Sequence, residues 1–295
     1  MSRALIGAGT ALLLPFYFTV STLDTYIYRE YNIVAVKRLF WEYGEAKMET
    51  SFSISIRGET LRGIAHLPSQ EHCPCLILCH GLTGDAHERT LIRIARCLEL
   101  HHVACIRLDC MGSGDSDGES RQVTTSTEAA NILAVFEYAR SLPQVDPERI
   151  VLGGHSLGAL AALMAAEQCK PAGIMLLSPA LSCYHELIQA LTGARLHAFL
   201  ERGVLDLGGF EVSRAMVDEL SDVDGYQIAC KLGLPTLLIH GELDGESPVY
   251  HSIRLKDKLG DLAELHIVPG VHHCYETAEA QAAVSNLTAE FMVKI

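Results

Sequence analysis

Basic residues are scarce in this sequence. Lys and Arg number 23 against 36 Asp and Glu, giving a net charge of −13 and a pI near 5.5. No basic run exceeds Lys37-Arg38. Clustered Lys and Arg are what bind a phosphate backbone, so nucleic acid is excluded as a partner. Metal-ligand spacing is lacking too. The ten cysteines, at 73, 75, 79, 97, 105, 110, 169, 183, 230 and 274, contain no Cys-x-x-Cys pair, and structural zinc sites are built on such pairs. No metal site and no organic cofactor is expected. Cys75, Cys79 and Cys105 sit inside apolar runs, where a free thiol packs as a small hydrophobe. So many unpatterned thiols point to a reducing, cytoplasmic setting for the folded part of the chain. Internal repeats and low-complexity segments are also missing, which excludes a solenoid.

What is present is an ordinary globular composition. Apolar residues make up 49%, charged residues 20%, and there are 24 glycines in 295 residues, enough for one large α/β domain with a substantial core. The anomaly is the N-terminus. Residues 4–23 carry no charge, between Arg3 and Asp24, and as a helix they span about 30 Å, the thickness of a bilayer core. The run ends in Phe16-Tyr17-Phe18-Thr19-Val20-Ser21, a poor cleavage site, so a retained membrane anchor is expected rather than a removed signal. The blander reading is a helix packed on the domain or on a partner chain. Residues 24–48, rich in Tyr, read as a helical connector. The expected organisation is therefore an apolar segment and connector over 1–48, then one α/β domain over 49–295 with a cap at about 180–230.

From residue 50 the rhythm changes. Residues 50–56 alternate and read as a strand, Gly58-Glu59 as a turn, and 61–67 as the hairpin partner. Short, unalternating apolar runs follow at 75–79, 103–108, 150–152, 173–177, 236–239 and 265–268, the pattern of buried parallel strands. Helical stretches near 88–100, 124–141, 157–168, 249–259 and 276–293 lie between or after them. This alternation implies a mostly parallel sheet flanked by helices on both faces. More than fifty residues separate the strand ending near Ser178 from the one starting near Pro235. A structureless loop of that length is rare, and 187–201 and 212–220 have helical periodicity. The interval therefore reads as a helical cap over the carboxyl edge of the sheet.

Gly154-His155-Ser156-Leu157-Gly158 follows the strand at 150–152 and opens the helix at 157. Strand before and helix after give this Gly-x-Ser-x-Gly its force, because two glycines permit a cramped turn that lifts Ser156 above the sheet as a nucleophile. The helix start places the Leu157 N–H beside a developing oxyanion. His80-Gly81-Leu82 follows the strand at 75–79, where backbone bends toward the nucleophile, so the Leu82 N–H is the second expected donor. His80 itself reads as a structural hydrogen-bonder, and Asp109 as a turn acid bonded to backbone.

Serine, acid and histidine follow in that order along such chains. His240-Gly241-Glu242-Leu243-Asp244 lies just past the strand at 236–239. Asp244 is preferred to Glu242 and Glu246, since four residues beyond the strand the chain has turned toward the serine. Pro269-Gly270-Val271-His272-His273 follows the next strand. On bare chemistry either histidine could be the base.

These motifs, with Leu108-Asp109-Cys110-Met111-Gly112-Ser113-Gly114-Asp115-Ser116-Asp117-Gly118, closely resemble those of bacterial feruloyl (cinnamoyl) esterases of the α/β-hydrolase superfamily. The likeness extends over about residues 50–295, including Leu207-Gly208-Gly209-Phe210. Residues 4–23 and 182–205 fall outside it. The resemblance implies an α/β-hydrolase fold and selects His273, because the family's catalytic histidine directly precedes a small residue and an aromatic, here Cys274-Tyr275. It implies a serine carboxylesterase in which Ser156, Asp244 and His273 are catalytic, Leu82 and Leu157 form the oxyanion hole, and a small-molecule ester is the substrate. A monoacylglycerol or lysophospholipid lipase is the first alternative, motivated by the apolar segment and the cap. An aminopeptidase-like serine peptidase is the next. A catalytically silent binding module is the reading of another class.

Overall fold

The computed structural model describes residues 49–182, 184 and 192–295. The uncharged run at 4–23 and the connector up to 48 lie outside the described residues, as does the first part of the helical stretch expected at 187–201. Among the described residues no helix is long and apolar enough to cross a membrane.

Eight strands make one sheet: β1 (Thr50–Ile56), β2 (Glu59–His66), β3 (Cys73–Cys79), β4 (Ala104–Asp109), β5 (Val145–His155), β6 (Gly173–Leu177), β9 (Thr236–Gly241) and β10 (Ala263–Val268), in the spatial order β1-β2-β4-β3-β5-β6-β9-β10. β1, β2 and β4 pair antiparallel and all later neighbours pair parallel. The β1–β2 register sets Ile56 opposite Glu59, so the turn is Arg57-Gly58, one residue earlier than the sequence suggests. Both turn residues have positive φ, 52° and 92°, which gives a two-residue connection the twist of its strands.

Helices α1 (Arg89–Leu100) and α8 (Ala278–Lys294) cover one face, and α2 (Thr125–Arg140) and α3 (Leu157–Cys169) the other. Strand β3 shows why its run is unbroken. Cys75, Ile77 and Cys79 pack toward α2 and α3, whereas Leu76 and Leu78 pack toward α1 and α8. Each fully buried Leu or Ile contributes roughly 1.5–3 kcal/mol relative to exposure. Thr124 begins α2 with a capping box, accepting from Thr127 N at 3.2 Å while Thr127 Oγ1 accepts from Thr124 N.

Between β6 and β9 the chain forms a cap: α4 (Gly193–Arg202), the antiparallel pair β7 (Val204–Asp206) and β8 (Glu211–Ser213), α5 (Arg214–Asp222) and α6 (Gly225–Leu232). Helix α7 (Tyr250–Leu259) then joins β9 to β10. Phe199, Leu205, Val212, Met216, Val217 and Leu220 of the cap pack on Leu157 and Leu160 of α3. Glu219 of α5 ties the cap to the start of α2, accepting from Thr125 Oγ1 and from Ser126 N.

The strand order contains a reversal. From β3 the chain moves out to β4 and returns to β5 on the other side of β3. Loops leaving β3 and β5 therefore diverge above the carboxyl ends of the strands, which opens a crevice there.

Candidate active site

Ser156 stands between β5 and α3 with φ 54° and ψ −116°, a backbone conformation that costs a non-glycine residue about 1–3 kcal/mol. The turn survives because glycine flanks it. A Cβ on Gly154 would overlap the Gly158 carbonyl oxygen, and one on Gly158 would overlap that of His80. The Ser156 backbone is satisfied: its N–H donates to Leu177 O at 2.9 Å and its carbonyl accepts from Ala180 N at 3.1 Å. Leu157 is the first residue of α3, so its N–H is one of the orphaned donors of a helix start.

The loop after β3 crosses directly above the serine. A Cβ on Gly81 would lie 3.2 Å from Ser156 Cβ. Thr83 holds φ 66°, rare for a β-branched residue. Gly84 N closes the turn onto Gly81 O at 3.0 Å, and Leu82 lines the same cavity as Ser156. His80 is consumed by backbone: its Nε2 accepts from Cys110 N at 3.1 Å, so its Nδ1–H donates to Gly81 O at 2.8 Å. Asp109 likewise accepts from Ala86 N and Asp115 N.

His273, in the loop after β10, donates from Nδ1 to Asp244 Oδ2 at 2.7 Å. A carboxylate only accepts, so this contact fixes the proton on Nδ1 and leaves Nε2 as the lone-pair nitrogen. Asp244 Oδ1 accepts from Glu246 N at 3.0 Å and Ser247 N at 2.8 Å. His240 Nε2 approaches Oδ2 at 3.2 Å while also meeting Ser247 O at 2.7 Å. Burial alone would raise the Asp244 pKa, but the hydrogen bonds from His240 and His273 outweigh it and hold the carboxyl well below the usual carboxylate range. Of the neighbours considered from sequence, Glu246 lines the same cavity as Ser156 and meets Asp244 through its backbone N–H. Glu242 accepts from Gly270 N at 2.8 Å, and His272 Nδ1 meets Leu243 O at 3.0 Å.

Ser156 and His273 line one cavity of about 1110 Å³. Leu207, Val212, Met216 and Leu220 of the cap form an apolar wall, and Glu88, Glu246 and Glu276 bring acidic groups to it. Sequence reasoning missed His240 and Ser247, which hold the acid, and the pair His155 and Glu88 beside the serine. His240 and Ser247 lie in the same strand-and-loop segment as Asp244, where nothing in their spacing marks them, whereas Glu88 and His155 meet between the loop after β3 and the end of β5. Among the described residues one further cluster, His87, Asp109 and Asp115, brings possible metal ligands within 4.8 Å of one another. The Asp109 carboxylate there is already bonded to two backbone N–H groups.

A family model described as alpha/beta hydrolase fold matches residues 74–197. A solved structure of Est1E from Butyrivibrio proteoclasticus with ferulic acid bound superposes with a TM-score of 0.73 at 29% identity, covering 82% of this chain and 98% of that one. An uncharacterized protein of Mycobacterium tuberculosis is 27% identical over 202 residues, 68% of this chain and 63% of its own length. The chain thus spans somewhat less than two thirds of that curated relative. The quorum-quenching protein AidA of Acinetobacter baumannii is 35% identical over 86 residues, 29% of this chain and 28% of that protein.

Proposed function

We propose that this chain, whose fold matches the α/β-hydrolase fold over residues 74–197 and superposes on Est1E, is a serine hydrolase of the carboxylesterase type acting on small-molecule esters. The observation that carries this reading is the 2.7 Å Asp244–His273 hydrogen bond in the cavity lined by the strained Ser156. In the proposed mechanism Ser156 Oγ attacks the ester carbonyl as His273 Nε2 takes the hydroxyl proton. Asp244 keeps the imidazole in the required tautomer and stabilises the imidazolium. The oxyanion is bound by the Leu82 and Leu157 N–H groups, each worth about 3 kcal/mol by the usual cost of losing one. His273 returns its proton to the departing alcohol, leaving an acyl-Ser156. Water, deprotonated by His273, then attacks that ester, and the carboxylic acid leaves as the serine regains its proton.

The cap's apolar wall suits the acyl group. Likeness to the ferulic-acid-bound Est1E favours an aromatic acid. The apolar wall and the uncharged run at 4–23 favour a second reading, a monoacylglycerol or lysophospholipid lipase held at a membrane by that run.

Three experiments test these readings. A fluorophosphonate probe should label Ser156, and folded protein without an adduct would point to a binding module. A panel of esters varied in acyl chain and alcohol should then separate feruloyl from lipid preference. For the membrane reading, the full chain should stay with membranes through salt and alkaline washes, and removal of residues 1–48 should release an active enzyme. Full-length protein that is soluble without detergent would overturn it.

A further inference from the structure

A second carboxylate–imidazole pair lies beside the first. His155, the residue before Ser156, is only 6% exposed. Its Nε2 meets the main-chain oxygen of His273 at 3.0 Å, and the two rings lie 4.7 Å apart. Its Nδ1 has no aligned hydrogen bond and faces Glu88 Oε2 at 3.4 Å. Both ring nitrogens therefore face acceptors, and only the doubly protonated imidazolium can present a proton to each. Neutral imidazole would turn a lone pair toward one of these two oxygens.

Glu88 immediately precedes α1, yet its side chain does not cap that helix. It folds back over the loop after β3 instead. A Cβ on Gly84 would overlap Glu88 Oε1, and one on Gly81 would lie 3.3 Å from His155 Nδ1. One ion pair thus touches the loop carrying Leu82, the end of β5 beside Ser156 and the loop carrying His273.

We propose that Glu88 and His155, as carboxylate and imidazolium, form a positioning pair that fixes the oxyanion loop, the nucleophile and the base loop relative to one another and so sets the alkaline limit of turnover. This inference rests on the hydrolase reading above. Several other groups share its surroundings. Asp244 and the His273 ring face it from the loops after β9 and β10, as does the edge of Tyr275 at 6.4 Å. His80 also lies near Glu88. Arg89, Glu246, Cys274 and Glu276 line the same cavity. Burial disfavours the charged His155 ring, but the Glu88 carboxylate outweighs it and holds the pKa above the ordinary histidine value. Charge on His155 is therefore complete at low pH and lost as pH rises through that pKa, and the positioning goes with it.

The test is ester turnover against pH for the full-length enzyme and three variants. Glu88→Gln removes the charge that favours the imidazolium, so the alkaline limb should move down by about one to three pH units. Its kcat should fall about 10- to 100-fold, as for slight misplacement of reacting groups, while KM stays within about threefold. Glu88→Asp, which keeps the charge, should restore the limb. His155→Gln keeps a donor for the His273 carbonyl but cannot titrate, so the limb should disappear. An unmoved limb in either Gln variant, in protein that still labels at Ser156 and keeps its circular dichroism spectrum, overturns the inference alone. Should the variants not fold, NMR titration of the wild-type imidazoles decides: His155 charged at pH 7 supports the pair and His155 neutral overturns it. Wild type without an adduct on Ser156 overturns the hydrolase reading, and this inference falls with it.

Discussion

Asp244, at the carboxyl edge of the sheet, and Glu128, on α2 where the cap meets the body, are both nearly buried, 8% and 1% exposed. Their surroundings differ. Asp244 receives two backbone N–H groups and approaches from two histidines. Glu128 has an Oε2 with no partner and sits near a second carboxylate, Glu219 of the cap. One environment supplies donors and keeps its acid ionised. The other supplies burial and a like charge, which push the Glu128 pKa up to about 8 and keep the group protonated at neutral pH. Burial decides nothing by itself. The donors that the fold brings to each oxygen decide the charge, and charge separates an acid that can steady an imidazolium from one that only fills space.

The largest test of this contrast is catalytic. Ser156→Ala and His273→Ala should each lower turnover by about 10⁶-fold, as for members of a catalytic unit, and Asp244→Asn by about 10⁴-fold. Glu128→Gln, although equally buried, should leave turnover within a factor of about three, since surroundings remote from the reacting atoms are not part of that unit. His272→Ala should cost less than about tenfold, and a larger loss than that of His273→Ala would move the base by one residue.

Stability should divide the two acids next. Asp244 has a lowered pKa, so its contribution is present above the ordinary carboxylate range and is lost as pH falls through the folded value. Asp244→Asn should therefore be about 2–3 kcal/mol less stable than wild type at pH 7, with the gap narrowing in acid below about pH 4. Denaturant unfolding at both pH values measures it, and a gap independent of pH would mean that Asp244 is not held as a charge. Glu128 has the opposite sign. The folded state retains a proton that the unfolded chain gives up near 4.5, so wild-type stability falls as pH rises from there to about 8. Glu128→Gln should match wild type near pH 4 and melt about 2–4 °C higher at pH 8 if the relief is 1 kcal/mol. A lower melting temperature at pH 8 would show that the carboxyl is a required hydrogen-bonding partner.

The parts of the fold that were legible from sequence are those where burial writes a pattern. Runs such as 75–79 read as strands because both faces of β3 are covered, leaving no polar alternation. The cap was legible as an interruption but not in its details. The helical stretch read at 212–220 begins too early, because 212 and 213 belong to β8 and pair with 204 and 205, and so short a strand is set by its partner rather than by its own residues. Helix α6 went unread because eight residues give a weak period. The Arg57 turn escaped because a positive φ on arginine has no compositional mark. At the site, Ser156, Asp244 and His273 each sit at a strand's end with a motif around them, and the chain order singles them out. His155 and Glu88 have no such signature, because they meet from different strands through the sheet order, and His240, four residues before Asp244 in the same segment, is distinguished from its polar neighbours by no pattern.

The glycines of the site differ in how a lineage could lose them. Every missense change of one base in a glycine codon adds at least a Cβ. At Gly154 and Gly158 that atom would meet carbonyl oxygens of the main chain, which no change at another codon can trim away. At Gly84 it would meet the end of the Glu88 side chain, and a second mutation can shorten that side chain. Alanine at position 84 is thus accommodated once the Glu88 side chain swings aside or is shortened, which would draw its carboxylate away from where it now stands beside His155.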